Sequence, residues 1–434
     1  MTPETQQVAV IGMGYVGLTL ASVLAREGFR VHGVENNPDI VTKLNSKDLH
    51  LVEPGVEDAI ANHIGVNWTV SDDYPFTPDV AILCVSTPVG ARGEPDLENL
   101  KDATKTLARV VERDTLVIVR STVPVGTTRE LVAPLLEEHG QRPALAFCPE
   151  RTIQGIALRE ILELPQVIGG RDPDSLHRCE TFFRSFVRKI APVSSLEAAE
   201  LVKLVNNCHT DLIYSYGNVV ALMALERKLD PLEVIEAANT DYPRPNLARP
   251  GFVGGACLTK DPYILVHAFE GTPGQPEMVR RVRELNESMP HQVAQHFNSL
   301  MRRAAKIPAD ANILVCGYAY KGVPETDDMR GAPVTPFLED LMEEWPNVVG
   351  HDYVVRSEVI EAFGTPAVSL EEGFREADGV IFLNDHPGYR SADLEALIQT
   401  ARSPLVVFDS WRLFRDQAFT RSADTVYAGI GYEA

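Results

Sequence analysis

The sequence predicts an α/β protein: two Rossmann-like parallel-sheet domains joined by a long-helix region. Buried-type apolar runs alternate with segments of helical period, and a glycine-rich turn follows the first of those runs. A second, altered glycine turn recurs late in the chain. The 434 residues exceed what one ordinary core holds. We place the boundaries at 1–192, 193–304 and 305–434.

With 44% apolar residues the composition is that of a globular protein. Forty basic residues against 61 acidic ones give a net charge of −21, which repels nucleic acid and anionic lipid. Neither is therefore expected as a partner, and an anionic substrate needs a local basic pocket. The six cysteines stand singly, in neither a zinc clamp nor a disulfide framework, so a reduced, cytoplasmic protein without a metal is expected. The charge-free run from Val8 to Ala25 is long enough to raise a membrane span. Its glycines make it a strand followed by a helix instead, and no basic signal-peptide flank precedes it.

Val8-Ala-Val-Ile-Gly12-Met-Gly14-Tyr15-Val16-Gly17 reads as a buried strand, a tight turn and a helix start. Gly12 permits the turn, Gly14 lets backbone approach a pyrophosphate, and Gly17 lets helix pack on strand. The following strand, Arg30–Glu35, ends in an acid at the distance of a ribose-binding carboxylate. Glu35 suits the two free hydroxyls of NAD and repels the phosphate of NADP; the bland alternative is a surface glutamate.

Further strands are expected at Val80–Val85, Thr115–Arg120 and Ala144–Cys148, with helices at 95–109 and 127–138 between them. The strand ends carry Ser86-Thr87, Ser121-Thr122 and Cys148-Pro-Glu150-Arg151. Ligands of such sheets collect at that edge. Thr87, Thr122 and Glu150 are open between turn or cap duty and ligand contact, and Cys148 reads as sheet packing.

A long helix follows from Leu196 to about Leu229, with Lys203 and Asn207 one turn apart on one face. His209, Asp211, Tyr214 and Asn218 thread polar groups through its small and apolar residues, as for a helix lining a site or a subunit contact. Asp230-Pro231 caps another helix, to about Asn239. The loop after it carries Arg244 and Arg249 toward Gly254-Gly-Ala-Cys257-Leu-Thr-Lys-Asp261. Taken alone, Cys257 is open between an inert small hydrophobe and a reactive thiol. A connecting helix is expected over 276–303.

Asn312-Ile-Leu-Val-Cys-Gly317-Tyr-Ala319-Tyr-Lys321-Gly322 echoes the first turn, with alanine at the middle glycine. The second sheet is expected to bind a different nucleotide, or to bind one differently. Its other strands are expected at 348–350, 379–383 and 405–408, and Lys321, Asp327, Asp328 and Arg330 share its first loop.

Together Gly12-x-Gly14-Tyr-Val-Gly17, Ser121-Thr-Val-Pro-Val-Gly, Pro149-Glu150, Lys203-x-x-x-Asn207, Gly254-Gly-x-Cys257-x-x-x-Asp261 and Lys321-Gly-x-x-x-Thr-Asp-Asp-x-Arg330 resemble the UDP-glucose/GDP-mannose dehydrogenase family over nearly the whole chain. The resemblance implies an NAD domain, a central helical dimerisation region and a nucleotide-sugar domain. It also implies four-electron oxidation of the sugar 6-hydroxyl to a carboxylate by a homodimer or dimer-based oligomer, in surface-polysaccharide synthesis.

By the same resemblance Cys257 is the nucleophile, Lys203 and Asn207 stabilise the oxyanion, and Asp261 moves protons with Lys203. Thr122 and Glu150 hold the water. Gly12, Gly14, Tyr15, Val16, Gly17, Glu35, Thr87, Thr122 and Arg330 bind NAD. Glu150, Arg151, Lys203, Asn207, Arg244, Gly254 and Lys321 bind the UDP-sugar. The segments 207–218 and 239–247 are similar to those of UDP-N-acetylhexosamine 6-dehydrogenases, with departures at His209 and Ala256. UDP-glucose stays open as the substrate. The rival classes are a two-electron NAD dehydrogenase, which needs no thiol, and a non-catalytic nucleotide-binding protein.

Overall fold

The computed structural model describes residues 3–90, 93–243 and 246–434. The chain divides into two compact units, Met1–Asn207 with Lys260–Pro276, and Cys208–Thr259 with Glu277–Ala434.

The first unit is built on an eight-stranded sheet. Its strands are β1 (Gln7–Ile11), β2 (Arg30–Val34), β3 (Trp68–Ser71), β4 (Val80–Leu83), β5 (Leu116–Val119), β6 (Ala144–Phe147), β7 (Gln166–Gly170) and β8 (Ile190–Val193). They lie in the order β3-β2-β1-β4-β5-β6-β7-β8. The order reverses between β1 and β4, which opens a ligand crevice at their C-terminal ends. Side chains alternate across the sheet: Val8 and Val10 of β1 enter one core, Ala9 and Ile11 the other. With both faces covered, the central strands are continuous apolar runs.

The second unit carries six strands: β9 (Ile313–Cys316), β10 (Val348–His351), β11 (Gly379–Phe382), β12 (Leu405–Asp409), β13 (Thr425–Gly429) and β14 (Tyr432–Glu433). Their order is β10-β9-β11-β12-β13-β14. Here too the first strand divides its residues between two cores, Ile313 and Val315 against Leu314 and Cys316. Two pairings, β6 with β7 and β13 with β14, are antiparallel, so the sheets are mostly rather than wholly parallel.

The expected helices appear at Glu98–Ala108, Leu196–Glu226, Pro231–Asn239 and Glu277–Arg303. The segment expected to be helical over 127–138 is helical, but not α throughout. It holds a π-helical stretch, Thr128–Val132, before a short α-helix, Ala133–Glu137. Pro134 lacks the N–H that would continue the ladder, and the register slips just before it. Five strands went unread. In β7, Gly169 and Gly170 weaken the strand signal, yet a Cβ there would lie 2.1 Å from the Ser195 carbonyl oxygen and 2.5 Å from the Leu176 nitrogen. The edge strand β8 tolerates Pro192 because its outer side needs no ladder bond.

The glycine turn after β1 owes its shape to two contacts. Gly12 has φ +91°, in the left-handed region. A Cβ on Gly17 would sit 1.8 Å from the Gly12 carbonyl oxygen, so the helix Tyr15–Arg26 packs directly on the turn. Gly17→Ala is therefore expected to destabilise the chain by ~1–3 kcal/mol. A urea melt reads this as a lower midpoint, and an unmoved midpoint would contradict the packing.

Candidate active site

The dinucleotide edge of the first sheet is assembled by hydrogen bonds between neighbouring strand ends. Glu35, just past β2, accepts the Met13 N–H at 2.7 Å with one oxygen and the Asn37 N–H at 2.9 Å with the other. Each oxygen keeps a second lone pair for a hydroxyl. A Cβ on Gly14 would meet nothing within 4 Å, so backbone faces open space there. The helix that starts at Tyr15 has no side-chain cap and no acid in its first turn, leaving its N–H groups available to phosphate. These features fit a bound dinucleotide.

Tyr15 does something the sequence did not suggest. Its hydroxyl donates to Glu53 at 2.6 Å, and Glu53 also accepts the N–H groups of Gly155 and Ala157 at 2.6 and 2.8 Å. Burial, with the Glu53 bond, pushes the tyrosine well above its ordinary pKa. Glu53 lies in a loop without periodicity, and nothing in the sequence marked it.

Thr87 and Thr122 come together. The Thr87 hydroxyl donates to the Thr122 carbonyl at 2.5 Å, and Ser121 donates to the Val85 carbonyl at 2.7 Å, stitching the ends of β4 and β5. The Thr122 hydroxyl has no partner among the described residues.

Glu150 is fully engaged. Arg120, which closes β5 from the next strand, reaches one oxygen through Nη2 at 2.6 Å and Nε at 3.1 Å. The N–H groups of Arg151 and Thr152 bond the other oxygen at 2.7 and 2.9 Å. Burial by itself would raise the Glu150 pKa, but Arg120, the Thr152 N–H and the Lys203 charge outweigh it and hold the carboxyl below 4.5. Arg120 went unread as a site residue; a charge ending an apolar strand was the signal for it, while its partner came from strand order. The Arg151 guanidinium turns to the Pro165 carbonyl.

The long helix Leu196–Glu226 is tied to this edge by Glu200, which accepts the N–H groups of Gly126 and Thr128 at 2.6 and 2.8 Å. One turn on, Lys203 is 7% exposed and makes no hydrogen bond among the described residues. A buried ammonium with free donors is poised for an acceptor. Asn207 donates to Asp261 at 2.5 Å, and Lys260 bonds the other Asp261 oxygen at 3.0 Å. The structure thus brings Asn207 and Asp261 together, and places the Lys203 charge near Glu150.

In the second unit Cys257 sits on a one-turn helix, Gly255–Leu258, and is exposed, whereas the other five cysteines are buried. Burial pushes the Cys84 thiol up to about 12 and the Cys148 thiol up to about 11, as suits packing residues. A Cβ on Gly254 would lie 2.2 Å from the Gly331 carbonyl oxygen, and one on Gly255 would lie 2.7 Å from the Tyr320 ring. The paired glycines therefore let the cysteine turn press against the loop after β9. In that loop Arg330 grips Asp328 at 2.6 Å, and its charge lies within electrostatic reach of the Cys257 side chain. The Lys321 ammonium lies 5.4 Å from the Tyr320 ring centre. Arg244 falls outside the described residues.

The second glycine turn differs from the first in one decisive respect. Asp352, after β10, accepts the Tyr318 and Ala319 N–H groups on one oxygen and those of Val354 and Val355 on the other. Its lone pairs are spent, and it has none left for a ribose diol.

Two mostly parallel sheets, the first carrying a dinucleotide turn, have the architecture of a nicotinamide-dependent dehydrogenase. The chain belongs to the UDP-glucose/GDP-mannose dehydrogenase family: residues 6–187 match its NAD binding domain, 197–288 its central domain and 314–416 its UDP binding domain. Its members use NAD. A UDP-N-acetyl-D-mannosamine dehydrogenase of Pyrococcus horikoshii is 33% identical over 92% of this chain and 94% of that one. A solved structure of UDP-D-ManNAc dehydrogenase from Pyrococcus horikoshii superposes with TM-score 0.88 at 32% identity, covering 98% of this chain and 99% of that one. The structure of a UDP-glucose dehydrogenase from Pyrobaculum islandicum superposes with TM-score 0.86 at 26% identity, covering 99% and 98%. Among the described residues no helix is long and apolar enough to cross a membrane.

Because folding lowers the Glu150 pKa, the unfolded chain takes up that proton first. The stabilisation is full above the ordinary value of 4.5 and is lost as pH falls through the folded one. Glu150→Gln, which strands Arg120, is expected to cost ~3–5 kcal/mol at neutral pH and to flatten the acid limb of stability in denaturant melts. Glu35→Gln is expected to weaken NAD roughly tenfold or more, as read by fluorescence titration; an unchanged affinity would remove Glu35 from the site.

Proposed function

We propose that the chain oxidises the 6-hydroxyl of a UDP-sugar, specifically a UDP-N-acetylhexosamine, to the carboxylate through a covalent intermediate on Cys257. The observation that carries this reading is the exposure of one thiol out of six, on a turn held by paired glycines. NAD, bound by Gly12–Gly17 with Glu35, Thr87 and Thr122, supplies the acceptor for both hydrides.

Once the alcohol has become an aldehyde, the Cys257 thiolate adds to C6. The C–S bond forms, the carbonyl π pair moves to oxygen, and that oxyanion takes a proton. Oxidation of the remaining C6–H bond of the thiohemiacetal leaves a thioester. Water adds to its carbonyl, the C–S bond breaks, and the carboxylate and thiolate separate. Lys203 and Asn207 donate to the oxyanions, where fixed donors matter most. Asp261 accepts and returns protons together with Lys203. Thr122 offers its hydroxyl to the water, with Glu150 as a fixed negative charge beside it. Arg151, Gly254 and Lys321 serve the sugar nucleotide, as does Arg244.

The acetylated sugar is favoured by the 33% identity to a UDP-N-acetyl-D-mannosamine dehydrogenase. UDP-glucose is the second reading, favoured by the structural likeness to a UDP-glucose dehydrogenase. We assign domains to 1–192, 193–304 and 305–434, and a cytoplasmic homodimer serving polysaccharide synthesis. Tyr216 at 52% and Met223 at 54% exposure leave apolar surface on the long helix for a second copy.

Cys257→Ser is expected to lower acid formation by roughly 1,000-fold or more, and the unaltered enzyme to yield two NADH per sugar. Assays against UDP-N-acetylglucosamine, UDP-N-acetylgalactosamine, UDP-N-acetylmannosamine and UDP-glucose, with product mass read directly, check both. Full acid turnover by Cys257→Ser, or one NADH per sugar, would sink the reading.

A further inference from the structure

Of the four polar residues threaded through the long helix, His209 and Tyr214 are exposed, whereas Asp211 and Asn218 share a buried destination. Asp211 and Asn218 are fully buried, in a stretch of the helix rich in small and apolar side chains. Two residues from the helix Glu277–Arg303 join them, Arg283 and Asn286, also buried. Arg283 donates to Asp211 at 2.8 Å through Nη1. The same nitrogen donates to the Leu258 carbonyl at 3.1 Å, and Nη2 donates to the Val253 carbonyl at 2.9 Å. Those two carbonyls bracket the one-turn helix that carries Cys257.

Asn286 holds the carboxylate in place, donating to the Asp211 side chain at 2.9 Å and to its carbonyl at 3.2 Å. Asn218 binds Gly251 twice, donating to its carbonyl and accepting its N–H, each at 2.9 Å. The cysteine turn is thus gripped at Gly251, Val253 and Leu258 from one side, and the Gly255 N–H donates to the Gly331 carbonyl at 3.2 Å.

A helix of one turn has little ladder of its own to hold its shape, here the Thr259 N–H to the Gly255 carbonyl at 3.4 Å. The carbonyl of its last residue, Leu258, and that of Val253, just ahead of its N-cap, need outside donors, and a single planar guanidinium serves both. A lysine ammonium at the same place has no fork to span them. We propose that Arg283, fixed by Asp211 and Asn286, is the positioning residue for the Cys257 thiol. This rests on the reading of Cys257 as the nucleophile. A buried ion pair from two helices sets where the sulfur stands, without touching the reacting atoms.

The test compares Arg283→Lys and Asn286→Ala with the unaltered protein, each checked for fold by circular dichroism. Iodoacetamide alkylation of ligand-free protein is followed at Cys257 by peptide mass, from neutral to alkaline pH, with Cys257→Ser as the blank. Expected are a shifted alkylation profile and a fall in acid formation of about 100-fold for Arg283→Lys, with KM within about twofold. A smaller shift in the same direction is expected for Asn286→Ala, which keeps the ion pair and decides the matter if Arg283→Lys does not fold. A profile and kcat that stay within about twofold in a folded variant overturn the proposal. Intact acid formation by Cys257→Ser sinks the nucleophile reading instead, whatever the alkylation shows.

Discussion

Each sheet has to close a glycine turn at the end of its first strand, and each does so with a carboxylate from the neighbouring strand. The N–H groups of such a turn have left the ladder and cannot stay unpaired in a buried crevice without cost. Glu35 answers Met13, and Asp352 answers Tyr318. The repeated device separates the two sheets by function. Glu35 takes one backbone donor per oxygen, whereas Asp352 takes two. The first carboxylate closes the turn and still has capacity for a ligand's hydroxyls; the second only closes the turn.

A second constraint runs through the strand-end charges. Arg120 and Glu150 are both buried and satisfy each other, with backbone donors filling the rest of the carboxylate. Such a pair adds little net stability compared with apolar packing, but either partner alone would be an uncompensated charge. It fixes the ends of β5 and β6 where Lys203 brings a further positive charge. Charge at this edge is therefore placed by the sheet, not by mobile side chains.

The cysteine segment obeys a different logic. It has no strand or long helix to shape it, so its geometry comes from contacts at its ends: glycines that allow close approach, and buried polar groups that grip its carbonyls. An exposed turn needs support from behind.

The sequence by itself determined the fold class, the strands near the dinucleotide turn and the long helices. Those signals are local: apolar runs, a 3.6-residue period, and glycine spacing that only one backbone shape explains. Tertiary structure alone decided the partners. Glu53 under Tyr15, Arg120 against Glu150 and Arg283 behind Cys257 join positions with no shared period, brought together by strand order and helix packing. The same holds for β7 and the π-helical register before Pro134. In the first, glycines that argue against a strand are required by a neighbouring backbone; in the second, a missing N–H shifts the helix from α to π register. Periodicity reports which face of an element is buried, while the identity of what it is buried against belongs to the whole chain.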